Sequence, residues 1–211
     1  MALVLNEEQR MLKESAKDFL RQRAPVSHLR ELRDSKSISG FSKELWTEMA
    51  EMGWTAILIP EQYGGLEYGY SGLGIVLEET GRTLTPSPLL STCLMGVTAL
   101  VKGGSAEQCG KYLPEVASGS HLLALAVNES SRHAPYTVTT TAKTSDNGFR
   151  LAGRKTAVID GHNADTLIVS ARTRGADNDS DGISLFLMPA DHPGIAIERY
   201  RVLDTHCASH I

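Results

Sequence analysis

The sequence predicts an α+β protein in which a helical half precedes a half made of strands. From residue 6 to about residue 118 the apolar residues recur at the helical period, whereas after Gly119 they form the short runs typical of strands. Helices and strands that are segregated along the chain favour two separate domains over an alternating α/β sheet. We therefore expect a helical domain over residues 1–119 and a β domain over residues 120–211.

Composition limits the classes of function. The chain of 211 residues is 41% hydrophobic and 22% charged, which is typical of a soluble globular protein. Its net charge of -4 argues against nucleic-acid binding, which requires clustered Lys and Arg. No apolar run approaches the roughly 18 residues of a membrane span, and the N-terminus lacks the features of a signal peptide. The widely spaced Cys93, Cys109 and Cys207 indicate free thiols and a cytoplasmic protein.

The first three predicted helices follow from caps and apolar stripes. Asn6 and Gln9 have the spacing of a capping box at the start of an amphipathic helix. Ser42 is placed to cap a second helix, and a third contains the apolar stripe that begins at Leu73.

Two further helices complete the first half. Ser87-Pro88 provides a cap and a first-turn proline, and Gly103-Gly104 ends this helix, which is apolar nearly all round and so predicted to be buried. Ser105 and Gln108 open a short last helix, and we expect Pro114 to end it.

The second half contains six predicted strands and one hairpin. Asp146-Asn147-Gly148 is a strong signal for a hairpin turn, and the acidic, Gly-bearing loop at residues 174–182 is expected to be mobile. The predicted strands cover residues 122–127, 136–144, 150–159, 166–171, 183–188 and 195–200.

The segment from Trp54 to Gly65 is the most informative part of the chain. Its apolar run stops at Pro60, and a carboxylate, an aromatic residue and paired glycines then form a tight turn. With the segments that follow it in order, the sequence resembles the acyl-CoA dehydrogenase family. The matching segments are residues 6–10, 54–65, 73–82, 111–114, 151–155, 164–165, 171–172 and 182–186.

The resemblance implies an architecture of three domains: a helical N-terminal domain, an antiparallel β-barrel and a C-terminal four-helix bundle. The sequence represents the first two, and we expect the barrel to lack its last strands. An incomplete barrel leaves an unpaired strand edge that invites pairing with another chain. We therefore expect either self-association through the second half or a disordered tail near residues 205–211.

The resemblance also implies a reaction, the α,β-dehydrogenation of an acyl-CoA thioester by FAD. The implied partners are an electron-transfer flavoprotein or a similar acceptor, and further copies of the chain in a homo-oligomer. The family's catalytic base is a glutamate of the C-terminal bundle, so no catalytic residue is assigned here. Glu61, Glu78 and Glu79 lie in matching segments, but we interpret them as structural, surface carboxylates.

The resemblance places cofactor contacts on two segments. Leu125, Val127 and Asn128 match the segment that holds the pyrimidine edge of the flavin, and Ala157 and Ile159 match a second cradle. Many members have an aromatic residue at the first of these cradle positions and a threonine at the second. Ala157 removes a stacking partner, and Ile159 removes a hydroxyl while keeping its backbone N–H.

Ser91 and Leu94 match positions that line the acyl pocket in relatives. The alternative for both is ordinary packing within a buried helix.

Other functional interpretations remain as alternatives. The chain could be a non-catalytic relative that binds acyl-CoA or protein and has lost flavin, or a flavin monooxygenase on the same scaffold. Residues 104–111 are a near miss for a phosphate loop, and residues 130–133 lack the surroundings of a hydrolase nucleophile. His206, Cys207 and His210 have the spacing of metal ligands on a helix, but a plain terminal segment is favoured.

Overall fold

The computed structural model describes residues 4–146 and 148–211. They form two compact units, the first ending at His121 and the second beginning at Leu122. The first is helical and the second is built from strands, so the predicted α+β class is confirmed. In the described residues no helix is long and apolar enough to cross a lipid bilayer.

Helices of several kinds make up the first unit. Two 3-10 turns, Trp54–Ala56 and Glu61–Tyr63, and a π-helix, Leu89–Gly96, lie between the α-helices. The α-helices are α1 Glu7–Arg23, α2 Val26–Asp34, α3 Lys43–Glu51, α4 Gly69–Thr83, α5 Val97–Gly103 and α6 Ala106–Ala117.

The predicted caps begin three of these helices. The Asn6 side chain accepts a hydrogen bond from the Gln9 N–H at 2.8 Å, and the Gln9 side chain accepts one from the Asn6 N–H at 3.1 Å. Ser42 caps α3, and Ser105 begins α6 in a second capping box. Each cap satisfies backbone N–H groups that a helix start leaves without a partner.

Three features of the helical unit differ from expectation. Helix α2 was not predicted, because its apolar residues Val26, Leu29 and Leu32 form only a short stripe among charged residues, and none of its residues is buried. Ser87 does not cap the next helix, which begins after Pro88 without a side-chain cap and starts as a π-helix. Pro114 does not end α6 but lies inside it, and the helix runs to Ala117.

The core of the first unit surrounds Trp54. This indole is buried and meets the ring of Phe19 edge to face, with the ring centroids 5.3 Å apart. Thr55 Oγ1 donates to the Ala117 carbonyl at 2.6 Å, and Trp46 Nε1 donates to the Gly119 carbonyl at 2.8 Å. These bonds fix the end of α6 against α3 and the turn at Trp54.

The tight turn predicted after Pro60 forms as a 3-10 turn closed by glycines. Gly64 adopts a left-handed conformation with φ of 82°, and the Gly65 N–H donates to the Pro60 carbonyl at 3.2 Å. Residues 66–68 then run back along residues 56–59, with the Glu67 N–H donating to the Ile59 carbonyl at 3.0 Å. A Cβ on Gly65 would lie 1.8 Å from the Ile59 carbonyl oxygen.

We expect Gly65→Ala to lower the free energy of unfolding by roughly 1–3 kcal/mol, because the added methyl group forces the backbone of residues 59–65 apart. Gly74→Ala is the matched control. A Cβ on Gly74 meets nothing within 4 Å, and alanine is favoured over glycine in a helix. Urea unfolding should therefore give opposite signs for the two variants. Equal stability of Gly65→Ala and the unsubstituted protein would contradict the close approach.

The second unit contains two sheets. Its strands are β1 Leu123–Ala126, β2 Thr141–Ser145, β3 Gly148–Ala152, β4 Val158–Ile159, β5 Thr166–Arg172, β6 Ile183–Pro189, β7 Glu198–Arg201 and β8 Cys207–His210. One sheet has the order β1-β5-β2-β3 with β6 also paired to β5, and the other has the order β4-β8-β7. All seven residues of β5 are buried, and its apolar side chains pack with those of β1 and β4 in the core of this unit.

Several expectations for the second unit need correction. The strands are not antiparallel throughout, because β1 and β2 each pair with β5 in parallel. β2 and β3 form the predicted hairpin, although Asn147 of its turn lies outside the described residues. The predicted strand at residues 136–144 begins only at Thr141, and the one at residues 150–159 divides into β3 and β4. β7 is shifted toward the C-terminus relative to its prediction.

Of the two alternatives, self-association or a disordered tail near residues 205–211, the structure does not show the tail, because Cys207–His210 form strand β8. β8 pairs with β4 on one side and with β7 on the other, so it is the central strand of its sheet. Cys207, Ala208 and Ser209 are buried there. Pairing on both sides satisfies the backbone groups, which explains why this segment is ordered.

Candidate functional site

β1 presents backbone N–H groups along its outer edge. It lies at the end of its sheet, next to β5. The Leu122 carbonyl accepts a hydrogen bond from the Thr166 N–H at 3.2 Å. In a parallel ladder alternate residues bond to the neighbouring strand, so this bond shows which residues of β1 face β5. The even-numbered residues of β1 therefore bond to β5, and the N–H groups of Leu125 and Val127 point to the opposite edge. Two of the predicted cofactor positions thus carry donors that the ladder does not use.

The second predicted segment, which contains Ala157 and Ile159, includes the short strand β4 between two strained residues. Ala157 has φ of 50° and Asp160 has φ of 53°, both in the left-handed region that non-glycine residues rarely adopt. Between them Val158 is buried in the core, and Ile159, which is half-buried, pairs with Ala208 of β8. Ala157 itself is exposed, so its methyl group is available at the surface of this unit.

The two predicted cofactor segments lie together in the structure. The Thr156 N–H donates to the Asn128 carbonyl at 2.8 Å, which joins the end of β1 to the start of β4. Lys155 exchanges two backbone hydrogen bonds with Ile211, at 2.7 and 2.9 Å, and the Thr156 hydroxyl lies 2.9 Å from His210 Nδ1. The segment at residues 155–156 is therefore held by β1 on one side and by β8 on the other.

An ion pair lies directly beside this junction. Lys155 Nζ is 2.6 Å from Glu129 Oε1, and the two side chains are only 3% and 9% exposed. Lys155 also donates to Ser170 Oγ at 2.9 Å. Glu129 accepts from the N–H and hydroxyl of Thr139, and from the N–H of Thr140 at 3.0 Å. The paired charges are thus surrounded by hydrogen-bond partners, which is what burial of charge requires.

These contacts set the protonation of the pair. Burial would raise the pKa of Glu129, but hydrogen bonds from Lys155, Thr139 and Thr140 outweigh it and lower that pKa to about 2. Burial lowers the pKa of Lys155, and the hydrogen bond and charge of Glu129 oppose this effect. Glu129 is therefore an ionised acceptor at neutral pH.

A second buried cation organises the chain that precedes β2. Arg172, at the end of β5, is 5% exposed, and its guanidinium donates to backbone carbonyls from two separate segments. Residues 174–182, expected to be mobile, are held by this guanidinium at three carbonyls. The best-formed bonds, of 2.9 to 3.1 Å, go to Tyr136, Val138, Asp177, Asp179 and Asp181.

The two predicted substrate positions lie in the first unit, on the π-helix. Ser91 is 1% exposed, and its hydroxyl donates to the Pro88 carbonyl at 3.3 Å. Leu94 is half-buried. π-helical turns are rare and occur frequently at functional sites.

The three glutamates of the matching segments have different surroundings. Glu61 is exposed in the turn after Pro60. On α4, hydrogen bonds from Lys13 and Arg82 lower the pKa of Glu78. Glu79 is not on the helix surface as expected: it is 2% exposed, and Arg82 Nε lies 3.1 Å from its Oε1. These ion pairs join α1 to α4, which gives the glutamates of α4 a structural role.

The remaining candidates do not form sites in the structure. No group of three or more metal-ligating side chains converges within residues 4–146 and 148–211. His206 and His210 do not share a helical face with Cys207, because residues 207–210 form strand β8 and successive side chains of a strand point to opposite faces. All three cysteines are buried, free thiols.

The donors of the second unit fit the pyrimidine edge of a flavin. That edge presents carbonyl oxygens, and the N–H groups of Leu125 and Val127 and the Asn128 amide are donors of the matching kind. The face of the flavin ring has fewer matching contacts. Ala157 presents a methyl group where an aromatic side chain would stack, and Ile159 has no hydroxyl. The residues therefore fit flavin at its hydrogen-bonding edge.

Sequence reasoning missed the buried charges. Lys155 and Arg172 lie in segments that match the family pattern, and Glu129 directly follows the cofactor position Asn128, but their partners are distant in sequence. The signal that was available is a charged residue at the end of an apolar strand, as at Arg172. Arginine is almost never fully buried unless it is paired, so an arginine that continues a buried apolar run needs buried partners.

Comparisons with known proteins agree with this architecture. The model of the N-terminal domain of acyl-CoA dehydrogenases matches residues 6–120, and the model of their middle domain matches residues 115–207. The mitochondrial 2-methylacyl-CoA dehydrogenase of Solanum tuberosum is 32% identical over 204 residues, which cover 92% of this chain and 47% of that protein. The mitochondrial isovaleryl-CoA dehydrogenase of Pongo abelii is 31% identical over 203 residues, with coverages of 92% and 47%.

Solved structures give the same result. The ChsE4-ChsE5 complex from Mycobacterium tuberculosis matches with a TM-score of 0.86 and 26% identity, over 100% of this chain and 54% of that chain. A glutaryl-coenzyme A dehydrogenase in complex with glutaryl-CoA matches with a TM-score of 0.85 and 25% identity, over 100% and 54%.

A helical unit followed by a β unit matches the acyl-CoA dehydrogenase structures over the whole of this chain. The chain belongs to the acyl-CoA dehydrogenase family, and its matches are to the N-terminal and middle domains. The predicted family is thereby confirmed. The chain spans about half the length of the curated relatives it matches.

Proposed function

We propose that these residues are the helical and β domains of a flavin-dependent oxidoreductase that dehydrogenates an acyl-CoA thioester between its α and β carbons. The observation that carries the proposal is the outer edge of β1, where Leu125 and Val127 direct N–H groups away from the ladder. These residues belong to the segment that resembles the flavin-binding strand of the family. Bound FAD would accept the hydride from the substrate.

Each unit contributes its own groups to this reaction. In the second unit, Leu125, Val127 and Asn128 would hold the flavin edge, and Ala157 and Ile159 would lie beside the ring. In the first unit, Ser91 and Leu94 would line the acyl pocket. No carboxylate of these 211 residues is assigned as the base. Glu78 and Glu79 are occupied by ion pairs with Lys13 and Arg82, which supports leaving them out.

The proposed partners follow from the family. They are an acyl-CoA thioester, an electron-transfer flavoprotein or a similar electron acceptor, and further copies of the chain in a homo-oligomer. A reducing compartment is supported by the buried free thiols of Cys93, Cys109 and Cys207, and we propose the cytoplasm. The relatives from Solanum tuberosum and Pongo abelii are named as mitochondrial.

A relative that binds acyl-CoA or protein without flavin is the second candidate. The exposed methyl group of Ala157 and the apolar side chain of Ile159 favour it, because they remove stacking and a hydroxyl from the cradle. The absorbance spectrum of the purified protein separates the two candidates. We expect visible flavin bands as purified or after addition of FAD, and their absence in both cases would favour the second candidate.

The 211 residues alone are expected to show no dehydrogenase turnover, because the proposed base lies outside them. The measurement is the oxidation of a series of acyl-CoA thioesters with an artificial electron acceptor, in the presence of added FAD. The mitochondrial isovaleryl-CoA dehydrogenase of Pongo abelii, of which this chain matches 47%, serves as the positive control. Turnover by the 211 residues would show that a group within them abstracts the α-proton, which would overturn this part of the proposal.

Ala157→Trp is expected to tighten FAD binding roughly three- to tenfold, since an aromatic contact adds about 0.5–1.5 kcal/mol. The position is exposed and already left-handed, so the larger side chain meets no buried neighbour. Ala157→Leu is the matched control, because it adds bulk without a π-system. Quenching of flavin fluorescence gives both dissociation constants. Equal constants for the two variants would remove Ala157 from the cofactor site.

A further inference from the structure

The junction between the two cofactor segments has few connections. β1 and β4 belong to different sheets and share no ladder. The hydrogen bond from the Thr156 N–H to the Asn128 carbonyl joins them through the backbone. The next residue after Asn128 is Glu129, and the residue before Thr156 is Lys155. Their ion pair of 2.6 Å is therefore a side-chain connection immediately beside the backbone one.

Each side chain of the ion pair also forms hydrogen bonds to another segment of the second unit. Glu129 accepts from the N–H groups of Thr139 and Thr140, at 2.7 and 3.0 Å, which ties it to the chain before β2. Lys155 donates to Ser170 of β5. The ammonium and the carboxylate each have more than one partner, so neither can rotate away without leaving a buried group unsatisfied. The pair thus fixes the separation of the segments that contain Asn128 and Thr156.

Stability alone does not explain a buried ion pair. Apolar side chains of similar volume often stabilise a protein as well as, or better than, two desolvated charges. Hydrogen bonds between charged groups are directional, whereas apolar contacts are not. Such hydrogen bonds therefore hold the two side chains in one geometry. Cofactor binding needs this property, because a donor displaced by about 1 Å can lose most of its effect on the bound group.

We propose that Glu129 and Lys155 are a positioning pair for the cofactor, which sets the distance between the flavin-edge donors of β1 and the cradle at residues 156–159. The inference rests on the proposed function, because it takes flavin as the group that both segments bind. Neither side chain is assigned a contact with the flavin. Their effect is transmitted through the backbone of Asn128 and Thr156.

The test compares the double variant Glu129→Gln, Lys155→Met with the control variant Arg154→Met and with the unsubstituted protein. Glu129→Gln with Lys155→Met removes both charges and leaves side chains of similar size, so it is expected to fold even if the single Lys155→Met variant does not. Arg154→Met is the matched control, because the neighbouring Arg154 forms an exposed ion pair with Glu198, at 3.6 Å. Unfolding transitions and far-UV circular dichroism establish that each protein is folded before the other measurements are made.

Three readouts follow the geometry of the junction. Hydrogen exchange of the Thr156 N–H reports on its bond to Asn128 and needs no cofactor. We expect it to be at least tenfold faster in the double variant, relative to core amides of β5. The dissociation constant for FAD, from fluorescence quenching, is expected to rise at least tenfold, with a changed visible circular dichroism of bound flavin. Arg154→Met should leave all three unchanged.

The outcomes separate this inference from the proposed function. A folded double variant with unchanged Thr156 exchange and an FAD dissociation constant within twofold would overturn the positioning role, while leaving the flavoprotein intact. Faster exchange with unchanged FAD binding would make the pair purely structural, which also overturns the inference. If the unsubstituted protein binds no FAD, the proposed function fails first and the positioning role fails with it, whatever the exchange rate.

Discussion

Replacement of Arg172 with methionine is expected to lower the free energy of unfolding by roughly 3–5 kcal/mol or to prevent folding of the second unit. The guanidinium donates to carbonyls of Tyr136, Val138 and three residues of the loop at 174–182. Hydrogen bonds to a charged group contribute about 1.5–3 kcal/mol each, and their loss leaves buried carbonyls without a donor. Several such bonds are lost together, although solvent can reach some of the loop carbonyls.

Two further variants make this expectation specific. Arg172→Lys keeps the charge but not the planar fork, so it should recover less than half of the lost stability. Arg174→Met is the matched control. Arg174 is exposed, and its loss should change stability by less than about 0.5 kcal/mol. Urea unfolding gives the free energies. If Arg172→Met and Arg174→Met were nearly equal in stability, the carbonyls that Arg172 binds would have found other donors, and the expectation would be wrong.

Hydrogen exchange can locate the effect of Arg172. The Val138 N–H donates to the Asp177 carbonyl at 2.9 Å, and Arg172 donates to the carbonyls of both residues. Removal of the guanidinium in Arg172→Met should therefore increase the hydrogen-exchange rate of the Val138 N–H much more than the exchange rates of the β5 amides. This result would explain why residues 136–140 do not form the strand that their sequence predicts. Their backbone is held by side chains and by the loop, in place of a ladder.

The features that the sequence predicts correctly depend on neighbours in the chain. Asn6 and Gln9 are three residues apart, and so are the two residues of the capping box at Ser105. The turn closed by Gly64 and Gly65 likewise contains its own signals. Such local chemistry determines where a helix begins or a turn closes, and it can be read without knowledge of the fold.

The features that the sequence does not predict depend on distant partners or on a weak pattern. Glu129 meets Lys155 across 26 positions, and Arg172 meets Val138 across 34. The segment at residues 89–96 is apolar on nearly every face, so its pattern does not distinguish a π-helix from an α-helix. β8 was expected to be a tail because its role as the central strand of a sheet depends on β4 and β7.

The candidate site shows the same division. The positions of Leu125, Val127, Asn128, Ala157 and Ile159 came from a resemblance, and the structure brings their two segments together. The buried charges beside these segments could not be assigned from the sequence, since neither Glu129 nor Lys155 shows by itself that it is buried. Burial of a charge is a property of the folded chain, and it identifies the groups most worth testing.

The second large effect is expected at the buried ion pair. Lys155→Met should lower the free energy of unfolding by roughly 3–5 kcal/mol at pH 7, because it leaves the Glu129 carboxylate buried without its counter-charge. The double variant Glu129→Gln, Lys155→Met should be more stable than this single variant, since neither charge then remains. Urea unfolding of both single variants, Glu129→Gln and Lys155→Met, of the double variant and of the unsubstituted protein gives the interaction energy as a double-mutant cycle.

Acid should remove the contribution of Glu129 in a defined range. Its pKa is about 2 in the folded protein, against roughly 4.3 for an unfolded chain. A lowered pKa means that the folded state binds the proton less readily, so the stabilisation is complete above about pH 4.5 and is lost as the pH falls toward 2. The stability difference between the unsubstituted protein and Glu129→Gln should therefore be constant from pH 7 to 5 and should shrink by pH 3. A difference that stays constant down to pH 3 would show that the pKa of Glu129 is the same in the folded and unfolded states, and the stabilising ion pair with Lys155 would have to be abandoned.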